Sequence, residues 1–235
     1  DGDHRDLHLS LRRQRQMCIR DRLYTSPWSG LEGLKKLLGR DVIELKRSDL
    51  EENQSWILEK AKEEKVGIFI PGDPLAATTH IDLLIEAKKK DIETEVVHAP
   101  SILTAVAECG LMLYKFGKTV SIPFPEEGYR PESPYEGIKE NLSRGLHTLC
   151  LLDIKREEGR YMSPVEALDY LKGIDEELLR ERRFVVMTNV GHGTRIYYLN
   201  SEEFQEKPVR DVPAVLIIPG ELHPVEEEAL KIFSG

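Results

Sequence analysis

The chain has 235 residues, 33 of them Lys or Arg and 42 Asp or Glu, for a net charge of −9. With 40% hydrophobic residues, 17 Gly and 13 Pro, it has a globular composition and is long enough for one large domain or two of about 100–120 residues. No apolar run approaches the ~20 residues of a membrane span, and the acidic balance argues against a nucleic-acid partner. Three cysteines at unrelated spacings exclude a disulfide framework and a Cys-x-x-Cys metal site, and they suit a reducing cytoplasm.

Residues 1–22 hold six Arg, no Lys and four Asp, with no coherent hydrophobic period. The stretch from Arg12 to Arg22 resembles an in-frame translation of a sequencing-library adaptor. The segment is therefore expected to be non-native and to take no part in the fold. A basic nucleic-acid arm, an Arg-rich transit peptide and a native helix compete with that reading. The four Asp weigh against a transit peptide, and Ser10-Leu11 offers too little apolar surface for a docked helix. Without the segment, residues 23–235 carry −11, and Cys109 and Cys150 remain.

Leu31, Leu34, Leu37 and Leu38 recur at helical spacing, and Gly39 follows as a helix-ending glycine. Val42-Ile43-Glu44-Leu45 reads as a short strand. Ser48 and Glu51 form a capping-box pattern ahead of a helix containing Trp56-Ile57-Leu58. Val66-Gly67-Ile68-Phe69-Ile70 predicts a buried parallel strand, and a helix through Leu83–Ala87 ends in a lysine run that suits the helix dipole. Glu95-Val96-Val97-His98 predicts another strand, and Ser101 caps a helix through Ala107. This β-α-β-α order is that of a doubly wound sheet.

The second half predicts strands over 119–123, 146–154, 184–188, 195–199 and 214–218, with helices near 135–144, 164–172 and 224–233. A hairpin is expected around Gly191-His192-Gly193. The expected organisation is an N-terminal α/β domain over 23–116, a boundary near Phe116-Gly117-Lys118, and a C-terminal α/β domain with a mixed sheet over 117–235.

Pro71-Gly72-Asp73-Pro74 is the most informative local motif. Ligands of open α/β sheets bind beyond the carboxyl ends of strands, where this loop lies. Gly72 admits a positive φ, and the prolines stiffen the turn that presents Asp73. A carboxylate there can accept from a ribose or amino group, or simply close an Asx-turn, and the residues alone leave both open. Ala76-Ala77-Thr78-Thr79-His80 opens the next helix with residues small enough for close approach of a ligand or for helix–sheet packing. Ser101-Ile102 is a second helix entry at the same sheet edge, where capping is a sufficient role for Ser101.

Templates for metal and nucleophilic chemistry are absent: there is no His-Glu-x-x-His, phosphate-binding lysine loop or nucleophile elbow. His80, His98, His147, His192 and His223 show no ligand spacing, so no metal is expected. Cys109 and Cys150 are expected to be buried and inert. Glu51-Glu52 and Glu226-Glu227-Glu228 are expected to be solvated helix faces.

Longer strings carry more. They are Pro71 through His80 (PGDPLAATTH), His98-Ala99-Pro100-Ser101-Ile102, Phe116 through Phe124 (FGKTVSIPF), Ser133-Pro134-Tyr135-Glu136, Gly145 through Ile154 (GLHTLCLLDI), Tyr161-Met162-Ser163 and Ile218 through His223 (IPGELH). In order and density they resemble the diphthine synthase family of the tetrapyrrole-methylase-like, S-adenosylmethionine-dependent methyltransferases, from about Tyr24 to the C-terminus. The resemblance implies two α/β domains with the cofactor cleft between them. It also implies a cytoplasmic, usually homodimeric enzyme that successively N-methylates a 3-amino-3-carboxypropyl-histidine of translation elongation factor two.

Carried over by position, the cofactor contacts are Asp73, Ala76, Ser101, Ile102, Leu152, a residue at or beside His192, and Ala214, where family members often carry histidine. No catalytic residue is assigned. The family's opening strand and Gly-Leu-Gly-Leu loop are not matched, so the first domain is expected to lack them, to bind cofactor poorly and to expose a sheet edge or core face. Tight binding of S-adenosylmethionine by calorimetry would overturn that expectation. The alternatives are a methyltransferase of the same fold acting on a tetrapyrrole or ribosomal RNA, and a non-catalytic module that binds the elongation factor. The charge of −11 disfavours RNA.

Overall fold

The computed structural model describes residues 16–20, 31–39, 42–45, 49–50, 52–126, 130–155, 158–180 and 182–234. The chain forms two compact units, Asp1–Ser101 and Ile102–Gly235. The division falls before the expected boundary at 116–118. Residues 102–115 belong to the second unit because Val106, Cys109 and Leu111 are buried in its core.

The first unit has a three-stranded parallel sheet in the order β2-β1-β3, with β1 at Gln16–Arg20, β2 at Val42–Glu44 and β3 at Lys65–Phe69. The expectation that residues 1–22 take no part in the fold is corrected here. Gln16–Arg20 is the central strand, with Cys18 opposite both Val42 and Gly67. Pairing through main-chain N–H and C=O groups asks little of side chains, and a segment free of Gly and Pro meets that demand.

Helix α1 (Leu31–Leu38) ends at Gly39, whose N–H donates to the Lys35 carbonyl at 2.9 Å. Helix α2 (Ser55–Glu63) buries Ile57 and Leu58, and Ile57 joins Leu45 and Leu50 in a small core against which Val66, Ile68 and Leu83 pack. The Ser48–Glu51 capping pattern lies outside the described residues. Helix α3 (Ile81–Lys89) carries Lys88 and Lys89 in its last turn, as the dipole favours.

β3 is parallel as expected but only partly buried, because it is an edge strand of this sheet. The strand expected at 95–98 does not form. Among the described residues this segment pairs with no strand, and Val97 is 77% exposed. Strand propensity cannot make a strand without a partner ladder.

The second unit opens with α4 (Ile102–Ala105), which passes into a 3₁₀ turn over Val106–Cys109 rather than continuing as α-helix. Its mixed sheet has the order β4-β5-β10-β8-β9. The strands are β4 (Val120–Ile122), β5 (Thr148–Leu152), β8 (Phe184–Thr188), β9 (Arg195–Leu199) and β10 (Ala214–Ile218). β4 and β5 are parallel and the other pairs antiparallel.

Alternation along β8 sends Phe184 and Val186 into one core and Val185 and Met187 into the other. A sheet buried on both faces explains its uninterrupted apolar strands. Helices α5 (Ser133–Ser143), α6 (Pro164–Lys172) and α9 (Pro224–Phe233) lie where the periodicity puts them. The short helices α7 (Glu177–Arg180) and α8 (Ser201–Glu206) and the hairpin of β6 (Ile154–Lys155) with β7 (Arg160–Tyr161) were not anticipated. A signal for α8 was present: Asn200 and Glu203 form a reciprocal capping box.

Glu226 corrects a further expectation. It is wholly buried rather than solvated. Its Oε1 accepts from Met112 N (2.8 Å) and His147 Nε2 (3.0 Å), and its Oε2 from Lys115 Nζ (2.6 Å) and His223 N (2.8 Å). His147 accepts from Gly220 N on Nδ1 at 2.9 Å, which requires that nitrogen to be unprotonated. The imidazole is thus neutral, with its proton on Nε2. Gly220 lies against backbone: a Cβ there would stand 2.4 Å from Gly145 O. Gly220→Ala is therefore expected to destabilise the chain by about 2–3 kcal/mol in urea unfolding, and an unchanged midpoint would show that this loop shifts freely.

Candidate active site

The loop after β3 is built before any ligand arrives. Gly72 takes a φ of +86°, a left-handed turn suited to glycine. It sets Asp73 so that Oδ1 accepts from Leu75 N (2.9 Å) while Oδ2 accepts from Ala99 N (3.2 Å) and His98 Nδ1 (2.8 Å). The side chain is 15% exposed. The Leu75 N–H bond, then the His98 ring, hold its carboxyl below the usual carboxylate range, so Asp73 is anionic at neutral pH.

Of the two roles foreseen for Asp73, the Asx-turn is the one formed. The same carboxylate ties the loop to 98–99. With three donors on roughly four acceptor positions, the carboxylate keeps room for one more. His80 closes the other end of the loop: it is buried, and its Nδ1–H donates to Pro74 O at 2.8 Å. That contact gives His80 a structural role. Ala76 is half-buried inside the loop, with its N–H on Asp73 O (3.3 Å), and Ser101 closes the unit.

In the second unit, Ile102 begins α4 and packs partly against the core. Leu152 ends β5, one rung beyond the Leu151–Val215 pair, and Ala214 begins β10 opposite Thr188 at the end of β8. Antiparallel partners share a face, so Leu152, Ala214 and Thr188 stand side by side across three strands. Asp153 fixes this edge, its carboxylate accepting from Phe124 N (3.0 Å) and Ile154 N (2.8 Å).

The turn after β8 holds His192 on an exposed apex, with its N–H on Asn189 O (2.8 Å). Sequence reasoning passed over Thr188 and Asn189. Thr188 Oγ1 and Asn189 Oδ1 are buried without a hydrogen-bond partner, a state that costs about 1–3 kcal/mol per group. No local motif marks them, because an orphaned atom is visible only once its surroundings are folded.

Cys109 and Cys150 are both fully buried. Burial pushes the Cys109 thiol up to about 11 and raises Cys150 as well, so neither is a nucleophile at neutral pH.

Residues 19–197 match the family model of Tetrapyrrole (Corrin/Porphyrin) Methylases. A diphthine synthase of Methanocaldococcus jannaschii is 44% identical over 218 residues, 88% of this chain and 85% of the relative. The chain belongs to the diphthine synthase family. Another diphthine synthase, from Methanococcus maripaludis, is 39% identical over 216 residues, 88% of this chain and 85% of the relative. A crystal structure of diphthine synthase superposes with a TM-score of 0.85 at 31% identity, covering 100% of this chain and 90% of that one.

The chain is thus a methyltransferase with the mixed α/β tetrapyrrole methylase fold. The family match begins at residue 19, inside the segment set aside in the sequence.

Proposed function

We propose that this methyltransferase uses S-adenosylmethionine and that its substrate is the 3-amino-3-carboxypropyl-histidine of translation elongation factor two, whose amino group it methylates successively to give diphthine. The observation that best supports this is the 44% identity to a diphthine synthase across most of both chains. The chain acts in the cytoplasm as a homodimer. No described helix is long and apolar enough to cross a membrane.

One feature supports an adenosyl donor: with three internal donors on its carboxylate, Asp73 retains an acceptor position suited to a hydroxyl or ammonium group. By family resemblance the candidate donor contacts are Asp73, Ala76 and Ser101 in the first unit; in the second unit, taken by itself, they are Ile102, Leu152, Ala214 and the turn bearing His192. Where histidine is usual in the family, Ala214 offers only contact and backbone. When bound, the donor supplies a methyl group on a positively charged sulfur, which is electrophilic without further activation.

The protein's contribution is accordingly alignment and water exclusion. Asp73, locked by three internal donors, orients. Leu152 and Ala214 present apolar surface. The attacking amine must be unprotonated, and its proton can leave to water, so no side chain is assigned as a base.

Radiolabelled S-adenosylmethionine offered with elongation factor two bearing the unmethylated precursor tests the reading. Label is expected in the factor, and more of it when a family-type opening strand and Gly-Leu-Gly-Leu loop replace residues 1–22. Label appearing in a tetrapyrrole or RNA, and never in the factor, would overturn the substrate assignment.

A further inference from the structure

The segment that carries Ser101 also carries His98, whose ring lies against the Asp73 carboxylate, Nδ1 to Oδ2, at 2.8 Å. An anionic carboxylate can only accept, so the ring holds its proton on Nδ1. The neutral imidazole then keeps its lone pair on Nε2. That nitrogen bonds to nothing among the described residues, and the side chain is 68% exposed. His80, by contrast, is buried. Main-chain donors already tie the loop, Leu75 N at 2.9 Å and Ala99 N at 3.2 Å from Asp73, so closure does not require a ring at 98. An asparagine there would donate to Asp73 as well. What imidazole adds is a basic nitrogen open to solvent, in a tautomer its carboxylate partner fixes.

We propose that His98 Nε2 takes the proton the substrate amine must shed before each methylation, with Asp73 holding the ring in the competent tautomer. The inference rests on the function proposed above and narrows it: a side chain, rather than water alone, receives the proton.

An alkyl amine is mostly ammonium at neutral pH, and an ammonium has no lone pair with which to attack. Transfer of one N–H proton to Nε2 leaves the amine neutral. Its lone pair then forms the new C–N bond while the C–S bonding pair goes to sulfur, so the positive charge passes from sulfur to nitrogen. His98 returns its proton to water, which its exposed ring can reach. Each successive methylation sheds one proton in this way, until the quaternary product has no N–H left. Among the described residues Asp73 is the charged group bonded to the ring, and its carboxylate also stabilises the imidazolium that forms.

His98→Asn isolates the free nitrogen, because the amide N–H can stand in for Nδ1–H toward Asp73 while Nε2 is lost. Methyl transfer to the elongation factor is expected to fall about 100-fold in kcat at pH 7, with the KM for S-adenosylmethionine unchanged. The deficit should shrink steadily toward about pH 9, where hydroxide replaces the ring as proton acceptor. NMR of the ring nitrogens in the unsubstituted chain, which needs no ligand, should find neutral His98 protonated on Nδ1.

A neutral ring protonated on Nε2, an unchanged kcat in His98→Asn at pH 7, or a loss of the same size at every pH would overturn the inference alone. A folded, unsubstituted chain that never labels the factor would overturn the function reading and this inference with it.

Discussion

Glu226→Gln is expected to lower the unfolding free energy by about 3–5 kcal/mol, the range for breaking one side of a buried ion pair. For a chain of this length that is roughly 10 °C in Tm. Four donors converge on this carboxylate, including the Lys115 ammonium. An amide would turn an N–H toward one pair of them and leave the lysine without its counter-charge. Burial alone would raise the pKa of Glu226, but the donors from Lys115, His223, Met112 and His147 outweigh it and hold the group at about 2. Burial holds the His147 pKa below its ordinary 6.5, against the pull of Glu226.

Both folded-state values thus lie below the unfolded ones. The stability they supply is present at neutral pH and is lost on acidification, beginning below 6.5 as His147 is driven to charge and continuing from 4.5 toward about 2 as Glu226 protonates. Urea unfolding across pH 2–8 should show that acid limb, and Glu226→Gln should remove its lower part. A variant with the unsubstituted midpoint at pH 7 would show that the four contacts contribute nothing net.

Asp73→Ala should reduce methyl transfer about 10- to 100-fold, mainly as a higher KM for S-adenosylmethionine, since charge-assisted hydrogen bonds are the stronger kind. Removing the carboxylate frees Leu75 N, Ala99 N and the His98 ring together, so the loop after β3 loses its tie to 98–99. Asp73→Asn keeps one acceptor for Leu75 N–H and should fall between the two. Because the Asp73 carboxyl lies below its ordinary 3.8, no titration of this group is expected in the activity profile above about pH 5. Steady-state kinetics alongside a binding assay for the elongation factor separates the readings. Activity that survives Asp73→Ala intact would remove Asp73 from the site, whereas retained factor binding with lost transfer is what an enzyme predicts.

Much of this architecture could be read in advance where local chemistry and packing agree. β5, β8 and β10 are apolar runs because their sheet is covered on both faces, and α5, α6 and α9 carry a 3.6-residue period because one stripe of each is buried. Where local chemistry and packing part, the reading failed. Residues 95–98 have strand composition but no partner ladder, and Gln16–Arg20 has poor composition but two. Glu226 sits in an acidic run that resembles a solvated face, and its burial depends on residues more than 70 positions away in the chain.

The candidate site divides in the same way. Asp73 was legible because Gly72 and two prolines surround it. Thr188 and Asn189 were not, because an unsatisfied atom is defined by the neighbours that fail to bond it.

The net charge of −9, the two unpaired cysteines after residue 22 and the order of the motifs settled the broad class and the family resemblance from sequence alone. Composition and motif order are properties of the chain itself and need no folded neighbour. The first 22 residues are the exception: composition alone set them aside, and only pairing with β2 and β3 placed Gln16–Arg20 at the centre of a sheet. Main-chain hydrogen bonding is indifferent to the side-chain pattern by which a sequence is read, so tertiary structure alone could decide it.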